Sequence, residues 1–313
     1  MAQDTQVLII GDYYDVPRQR LIDQYPCAIY EDAADPAALL AEIAPTCRAI
    51  ASHAPVTAAL MDALPHLGVI ANFGVGYDLV DVAAADARGI KVTNTPDVLN
   101  DEVADLAVGL MLATCRRMIK ADAYVRAGRW AAEGNMAFTQ RVWGKRLGLL
   151  GMGRIGREIA DRCAAFKMAV SYHTRTPKDV PYTYVGDLAS LAGDSDILIS
   201  VVPGTPETAG IISADIMTAL GPNGVLINVG RGSAVDEAAL IACLADGRLG
   251  AAGLDVFADE PRVPAALIEM TENVVLQPHH ASATHDTRDA MGQMMIDNIA
   301  AHFAGRPLIS PVN

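Results

Sequence analysis

The stretch that most constrains the fold lies near the middle of the chain. Leu147–Leu150 reads as a buried strand, and Gly151-Met152-Gly153-Arg154-Ile155-Gly156 follows at once, leading into helical sequence through about Phe166. Strand, glycine loop and helix in that order form the first turn of a parallel βαβ unit. Each glycine has its own reason. Gly151 permits a tight turn, Gly153 lets the backbone approach a pyrophosphate, and Gly156 lets the helix pack on the strand. The free N–H groups of the helix N-terminus then face the anion. A plain structural turn is the alternative, but the flanking strand and helix supply the context that a dinucleotide site requires.

The sequence after the loop separates one dinucleotide from another. A site selecting NAD carries Asp or Glu about 20 residues on, at the end of the second strand, to accept from the ribose hydroxyls. Here that place reads Val170-Ser171-Tyr172-His173-Thr174-Arg175-Thr176-Pro177-Lys178, and no acid occurs from Lys167 to Lys178. Arg175, flanked by Thr174 and Thr176, can instead bind a 2′-phosphate through charge-assisted hydrogen bonds. The expectation is NADPH, with NADH accepted more weakly; an ordinary solvated arginine in a turn is the bland alternative.

Around this unit the chain alternates strand and helix. Val7–Ile10, Ala28–Tyr30, Ala49–Ser52, Val69–Ala71 and Lys91–Thr93 read as strands, separated by the helical stretches Pro36–Ile43, Thr57–Ala63 and Leu79–Arg88. A single long helical pattern, Pro96 to Arg117, interrupts the rhythm, and an irregular stretch, Gly128–Trp143, follows with both tryptophans. The rhythm restarts at Leu147, with strands at Val170, Ile197–Val202, Val225–Val229, Gly250–Leu254 and Val274–Leu276, and closes on a helix at His285–Phe303. Strands joined by single helices imply parallel sheets. The 313 residues amount to about two domains.

Charge narrows the partners. With 24 Lys+Arg against 37 Asp+Glu the net charge is −13, which repels phosphate backbones and anionic lipid, so neither nucleic acid nor a membrane is an expected partner. The most apolar stretch, Val103–Cys115, contains Asp105 and is too short to span a bilayer. Five scattered cysteines without a CxxC pair suit reduced thiols packed as small hydrophobes, and point to no metal. The N-terminal MAQDTQVLII lacks a basic segment before an apolar run, so a cytoplasmic location is expected.

Three further strand ends carry chemistry. Asn228-Val229-Gly230-Arg231-Gly232 presents an arginine between glycines, Asp255-Val256-Phe257-Ala258-Asp259-Glu260-Pro261 presents acids, and Pro278-His279-His280-Ala281-Ser282 presents histidine after proline. Ligands in open α/β sheets sit outside the carboxyl ends of strands, so all three sets face the cofactor edge. Together with Asn72-Phe73-Gly74-Val75-Gly76-Tyr77-Asp78 and the glycine loop, these segments resemble, over nearly the whole chain, the D-isomer-specific 2-hydroxyacid dehydrogenases, in the glyoxylate/hydroxypyruvate reductase branch.

The resemblance implies roles position by position. Arg231 would clamp the substrate carboxylate and polarise the carbonyl, His279 would donate the proton, and Glu260 would hold the far side of that imidazole. The proline directly before it favours His279 over His280. Glu260 argues against the formate-oxidising relatives, which pair their histidine with glutamine; Ala281, where glycine is frequent, departs mildly. Val75 and Gly76 would hold the carboxylate, with Ser52, His53 and Tyr77 setting pocket size. Arg154 would reach the pyrophosphate and Asp255 the nicotinamide, while Ile155, Val202, Pro203, Thr208, Val229, Gly230 and Ala281 would line the cofactor.

The same resemblance implies an α/β fold of two Rossmann-like/flavodoxin-like parallel-sheet domains joined by a long helix, with the active site in the interdomain cleft. Residues 1–98 and 286–313 would bind substrate, and residues 99–285 the dinucleotide. It also implies a homodimer, to which the Gly128–Trp143 arm could contribute, although Trp130 and Trp143 could equally be core residues. The activity implied is NADPH-dependent reduction of a small 2-oxo acid, glyoxylate or hydroxypyruvate, to its 2-hydroxy acid. Two alternatives stay open: the same chemistry on an aryl-pyruvate such as hydroxyphenylpyruvate, and a dinucleotide-sensing regulator, which would bind cofactor tightly but turn over slowly.

Overall fold

Every strand pair in the computed structural model is parallel and every strand-to-strand connection runs through helix or loop, the outcome that short apolar runs alternating with Ala/Leu-rich segments demand. The structure describes residues 5–313; residues 1–4, part of the segment read for a targeting signal, lie outside the described residues. The chain divides into two compact units, Met1–Leu99 with Ser282–Asn313, and Asn100–Ala281.

The first unit holds β1 (Val7–Ile10), β2 (Cys27–Ile29), β3 (Ala49–Ser52), β4 (Val69–Asn72) and β5 (Lys91–Thr93) in the order β2-β1-β3-β4-β5. This is the flavodoxin-like order. β1, β3 and β4 are buried along their whole length, which is why they read as unbroken apolar runs rather than alternating ones. Helix starts are set by side-chain caps: Asp35 accepts from the Ala37 and Ala38 N–H groups with Pro36 at the first helical position, and Thr284 accepts from Thr287. The returning helix His285–Phe303 lies against Asp15–Gln24, so close that a Cβ on Gly292 would sit 2.0 Å from the Pro17 Cβ.

The second unit holds β6 (Arg146–Leu150), β7 (Ala169–His173), β8 (Thr183–Tyr184), β9 (Ile197–Ser200), β10 (Val225–Asn228), β11 (Ala251–Leu254) and β12 (Val274–Leu276). Their order, β12-β11-β10-β9-β6-β7-β8, reverses direction at β6. The glycine loop leaves β6 at that switch point, where open sheets bind ligands. The chain enters this unit through the long helix Asn100–Cys115, which packs along Arg154–Ala165. Arg162 ties the two helices, reaching Asp105 at 2.6 Å and Asp101 and Glu158 at 2.7 Å.

Several local expectations need correcting. The helical pattern from Pro96 to Arg117 is realised only over Asn100–Cys115: Asp97 and Arg117 have φ of +70° and +48°, outside a right-handed helix. A separate helix, Met118–Arg126, follows, and Gly128–Trp143 contains a short helix, Arg129–Glu133. Trp130 and Trp143 are 59% and 58% exposed, so neither is a core residue. The cysteines match the expectation: none is bridged, four are buried and Cys27 is half-buried, and burial pushes the thiols of Cys27 and Cys163 up to about 12.

Candidate active site

The glycine loop has the geometry its three glycines demand. Gly151 takes φ +105°, and its N–H donates to the His173 carbonyl at the end of β7. A Cβ on Gly156 would lie 2.3 Å from the Gly151 carbonyl oxygen, so only glycine lets the helix start against the strand. A Cβ on Gly153 would meet nothing within 4 Å, which leaves the backbone open at the helix N-terminus. That space, rather than a packing need, marks where an anion could approach the exposed Arg154 and half-buried Ile155.

β7 ends at His173, whose Nδ1 pairs with the Val185 carbonyl, and the turn beyond it carries no carboxylate. The Thr174 hydroxyl donates to the Thr176 carbonyl at 2.7 Å and shapes the turn, while Arg175 is exposed. The loop after β9 is similarly self-braced: the Thr208 hydroxyl donates to the Pro203 carbonyl at 2.6 Å and accepts from the Thr205 N–H at 2.9 Å. A Cβ on Gly230 would fall 2.6 Å from the Val202 carbonyl oxygen, so the exits of β9 and β10 lie directly on one another.

The exits of β10, β11 and β12 converge on one histidine. Asn228, wholly buried, accepts from the Gly230 N–H at 3.2 Å and donates to the Arg231 carbonyl at 2.9 Å, clamping the turn that presents Arg231. A Cβ on Gly232 would lie 1.9 Å from the Phe257 carbonyl carbon, so this glycine lets the arginine turn nest against the acidic segment. Glu260 uses both oxygens: one accepts from the Phe257 N–H at 2.9 Å, the other meets His279 Nδ1 at 2.6 Å. Burial raises the Glu260 pKa, but these hydrogen bonds and the charges of His279 and Arg231 outweigh it and hold the carboxyl below its usual range. Because Glu260 engages Nδ1, Nε2 is the ring atom left for chemistry.

His279 sits at φ +52°, a conformation rare for a residue with a side chain. Three hydrogen bonds to Asp255 hold it there: the Asp255 carbonyl takes the His279 N–H at 2.7 Å, and its carboxylate takes the N–H groups of His280 at 2.7 Å and Ala281 at 3.1 Å. Asp255 is fully buried, and burial raises its pKa against the pull of those donors. Its visible work is thus to fasten the histidine turn, a role the sequence did not suggest. His280 makes its bond through the backbone, whereas the imidazole paired with the acid belongs to His279.

In the first unit, the loop after β4 has its carbonyls pinned. Asn72 Nδ2 donates to Gly74 and Gly76 at 3.0 Å each, and Asn94 Nδ2 donates to Val75 at 2.9 Å. Among the described residues no protein acceptor takes the Val75 or Gly76 N–H, so the loop is a pair of fixed donors suited to a carboxylate. Ser52 ends the strand β3 beside Ala54. It is fully buried, and its hydroxyl donates to the Ala54 carbonyl at 2.7 Å and accepts from the Ala54 N–H at 3.2 Å, so it braces a turn. The exposed neighbours are His53 and Tyr77. Among the described residues no group of His, Cys, Asp and Glu could hold a metal, and no helix is long and apolar enough to cross a membrane.

Comparison with known proteins places these features in context. Residues 108–281 match the family described as D-isomer specific 2-hydroxyacid dehydrogenase, NAD binding domain. The chain is 50% identical over 262 residues to the hydroxyphenylpyruvate reductase of Plectranthus scutellarioides, covering 83% of each chain. It is 47% identical to a glyoxylate/hydroxypyruvate reductase of Arabidopsis thaliana, again over 83% of each. Among solved structures, the NADPH-dependent glyoxylate/hydroxypyruvate reductase of Sinorhizobium meliloti, in complex with NADP and malonate, superposes with a TM-score of 0.93 at 46% identity, covering 99% of this chain and 97% of that one.

Proposed function

The chain belongs to the D-isomer-specific 2-hydroxyacid dehydrogenases, in their glyoxylate/hydroxypyruvate reductase branch, and from that premise we propose that it reduces a small 2-oxo acid, glyoxylate or hydroxypyruvate, at the expense of NADPH. It is an NADP-dependent oxidoreductase acting on 2-oxo acids. The observation that carries the finer reading is the 2.6 Å pairing of Glu260 with His279 Nδ1, on a turn fastened by Asp255 and beside the turn that presents Arg231.

The residues present fit the cofactor. Gly151, Gly153 and Gly156 with the helix N-terminus would take the pyrophosphate, with Arg154 and Ile155 beside it, and the acid-free turn bearing Thr174, Arg175 and Thr176 would take the 2′-phosphate. Val202, Pro203, Thr208, Val229, Gly230 and Ala281 would shape the rest of the cofactor surface. Bound NADPH supplies a hydride to the substrate carbonyl carbon. Arg231 would clamp the substrate carboxylate and polarise the carbonyl, and the Val75 and Gly76 N–H groups would bind the carboxylate. His279 Nε2 would hand its proton to the developing alkoxide, with Glu260 stabilising the cation and fixing the ring. Asp255 enters as a positioning residue.

Residues 1–98 with 286–313 would then serve as the substrate domain and 99–285 as the dinucleotide domain. We assign the exposed apolar side chains of the 118–143 region, Met118, Ile119, Val125, Trp130, Phe138 and Trp143, to a homodimer interface. A second substrate reading, an aryl-pyruvate, is favoured by the 50% identity to a hydroxyphenylpyruvate reductase. Steady-state reduction of glyoxylate, hydroxypyruvate and hydroxyphenylpyruvate, each with NADPH and NADH, tests all of this. Fast turnover of the small acids with NADPH is expected. Preference for the aryl acid would move the assignment, and tight NADPH binding with no turnover would indicate the sensor.

A further inference from the structure

The two donors of the loop after β4, the Val75 and Gly76 N–H groups, are aimed by different means. In a trans peptide the carbonyl and the N–H share one plane and point opposite ways, so fixing the oxygen aims the hydrogen. The Val75 N–H shares its peptide with the Gly74 carbonyl, which accepts from Asn72 Nδ2 and from the Thr95 N–H, each at 3.0 Å. The Gly76 N–H shares its peptide with the Val75 carbonyl. Among the described residues that oxygen takes one donor, Asn94 Nδ2, at 2.9 Å. One loop donor is thus aimed twice over and the other by a single side chain.

Asn94 is in turn set from distant sequence. It follows β5, and its carbonyl accepts from the Ser310 hydroxyl at 2.6 Å while its N–H donates to the Ser310 carbonyl at 3.3 Å. Ser310 is set by Asn298, a wholly buried amide on the helix His285–Phe303. Asn298 Nδ2 donates to the Ser310 hydroxyl at 3.0 Å and to the Met294 carbonyl at 2.8 Å. Its Oδ1 accepts from the Ile309 N–H at 2.9 Å and the Ser310 N–H at 3.3 Å. Both amide hydrogens and both lone pairs are therefore used. A buried network satisfied this fully holds one geometry, because turning the amide would strand its partners away from water.

We propose that Asn94 is a positioning residue for the substrate carboxylate, and that Asn298 and Ser310 act through it. The proposal rests on the reading of Val75 and Gly76 as the carboxylate loop. Asn94 aims the Gly76 N–H by holding the other end of the same peptide, and it has no part in hydride or proton transfer. The carboxylate is unchanged by the reaction, so this donor binds ground state and transition state alike. Loss of its aim therefore raises the KM for the acid and leaves kcat in place.

The test is steady-state kinetics with glyoxylate and hydroxypyruvate, and the Ki of oxamate, in the wild type, Asn94→Ala, Ser310→Ala and the double variant. Oxamate offers the carboxylate and carbonyl without accepting a hydride, so its Ki reads binding alone. Asn94→Ala should raise the KM for the acids and the Ki about tenfold, the worth of one hydrogen bond to a charged group. The kcat and the KM for NADPH should stay within about twofold of the wild type. Ser310→Ala should raise KM and Ki roughly threefold alone and add nothing to Asn94→Ala, since its route to the Gly76 N–H runs through Asn94. A merely structural role would lower Tm without this split. Unchanged KM and Ki in Asn94→Ala overturn the proposal, as does a fall confined to kcat; additive increases in the double variant overturn the relay from Ser310. If Asn94→Ala fails to fold, Ser310→Ala decides, a raised Ki with kcat intact upholding the proposal and an unchanged Ki overturning it. Asn72→Ala, which frees the Gly74 and Gly76 carbonyls from their side-chain donor, separates this failure from that of the reading beneath. A Ki raised by Asn72→Ala but not by Asn94→Ala sinks the proposal alone, whereas a Ki moved by neither removes the loop from the carboxylate. Absence of wild-type turnover on every 2-oxo acid overturns the functional reading itself.

Discussion

Replacing Asp255 by asparagine keeps the shape of the side chain and removes one of its two acceptors. The carboxylate faces two backbone donors, the N–H groups of His280 at 2.7 Å and Ala281 at 3.1 Å, in a fully buried site. An amide satisfies one and turns an NH₂ toward the other, leaving two donors opposed and out of reach of water. An unsatisfied buried donor costs about 1–3 kcal/mol. Relief of the buried charge, whose pKa burial already raises, returns part of it. A net loss of about 1–2 kcal/mol corresponds to a Tm lower by roughly 2–8 °C for a unit of this size.

The activity should suffer more than the stability. His279 is kept at φ +52° by this same anchorage, and a turn released from it relaxes toward negative φ and carries the imidazole away. Displacement by about 1 Å can cost about a hundredfold in rate. Asp255→Asn should therefore lower kcat roughly tenfold to a hundredfold while the KM for NADPH changes little. Thermal unfolding and steady-state kinetics with NADPH varied read both. Wild-type kcat and Tm would refute the anchoring argument, and a raised KM for NADPH with kcat intact would return Asp255 to contact with the nicotinamide.

Three more outcomes follow from the geometry. Gly156→Ala puts a Cβ 2.3 Å from the Gly151 carbonyl oxygen; overpacking against backbone costs about 1–3 kcal/mol, so the KM for NADPH should rise about tenfold with a lowered Tm, and an unchanged KM would contradict the close approach. Arg175→Ala should raise the KM for NADPH far more than that for NADH; equal changes would remove Arg175 from the 2′-phosphate. Glu260 has its pKa lowered in the folded state from 4.5, so the stability it contributes is complete above that pH and fades as pH falls through the lower folded value. Denaturant titrations between about pH 5 and 3 should show a shallower loss for Glu260→Gln than for the wild type, and identical slopes would mean that the His279 pair contributes nothing to folding.

Much of the architecture was legible because it depends on short-range physics. β1 and β3 match their apolar runs residue for residue, since strands buried on both faces need continuous apolar sequence. The glycine loop was legible for the same reason: φ +105° at Gly151 and the contact at Gly156 are backbone requirements that glycine alone meets. The helix Asp15–Gln24 was not. Only Pro17 and Leu21 of it are buried, and its partner, Gly292, lies far along the chain.

The candidate site divides along the same line. Residue types at strand ends, arginine between glycines, acid before proline and histidine after proline, marked by themselves where the chain gathers its chemistry, because an open sheet delivers strand ends to its ligand edge, while the role of each residue was implied by the resemblance to the family. Where each group points was decided only by the tertiary structure. His279 rather than His280 meets Glu260, the Asp255 carboxylate turns inward to backbone donors, Ser52 folds onto Ala54, and Arg288 comes to rest over Phe73. A side chain's direction depends on partners that the fold brings from distant sequence, Asp255 to Ala281 or Phe73 to Arg288, and no local pattern encodes those encounters.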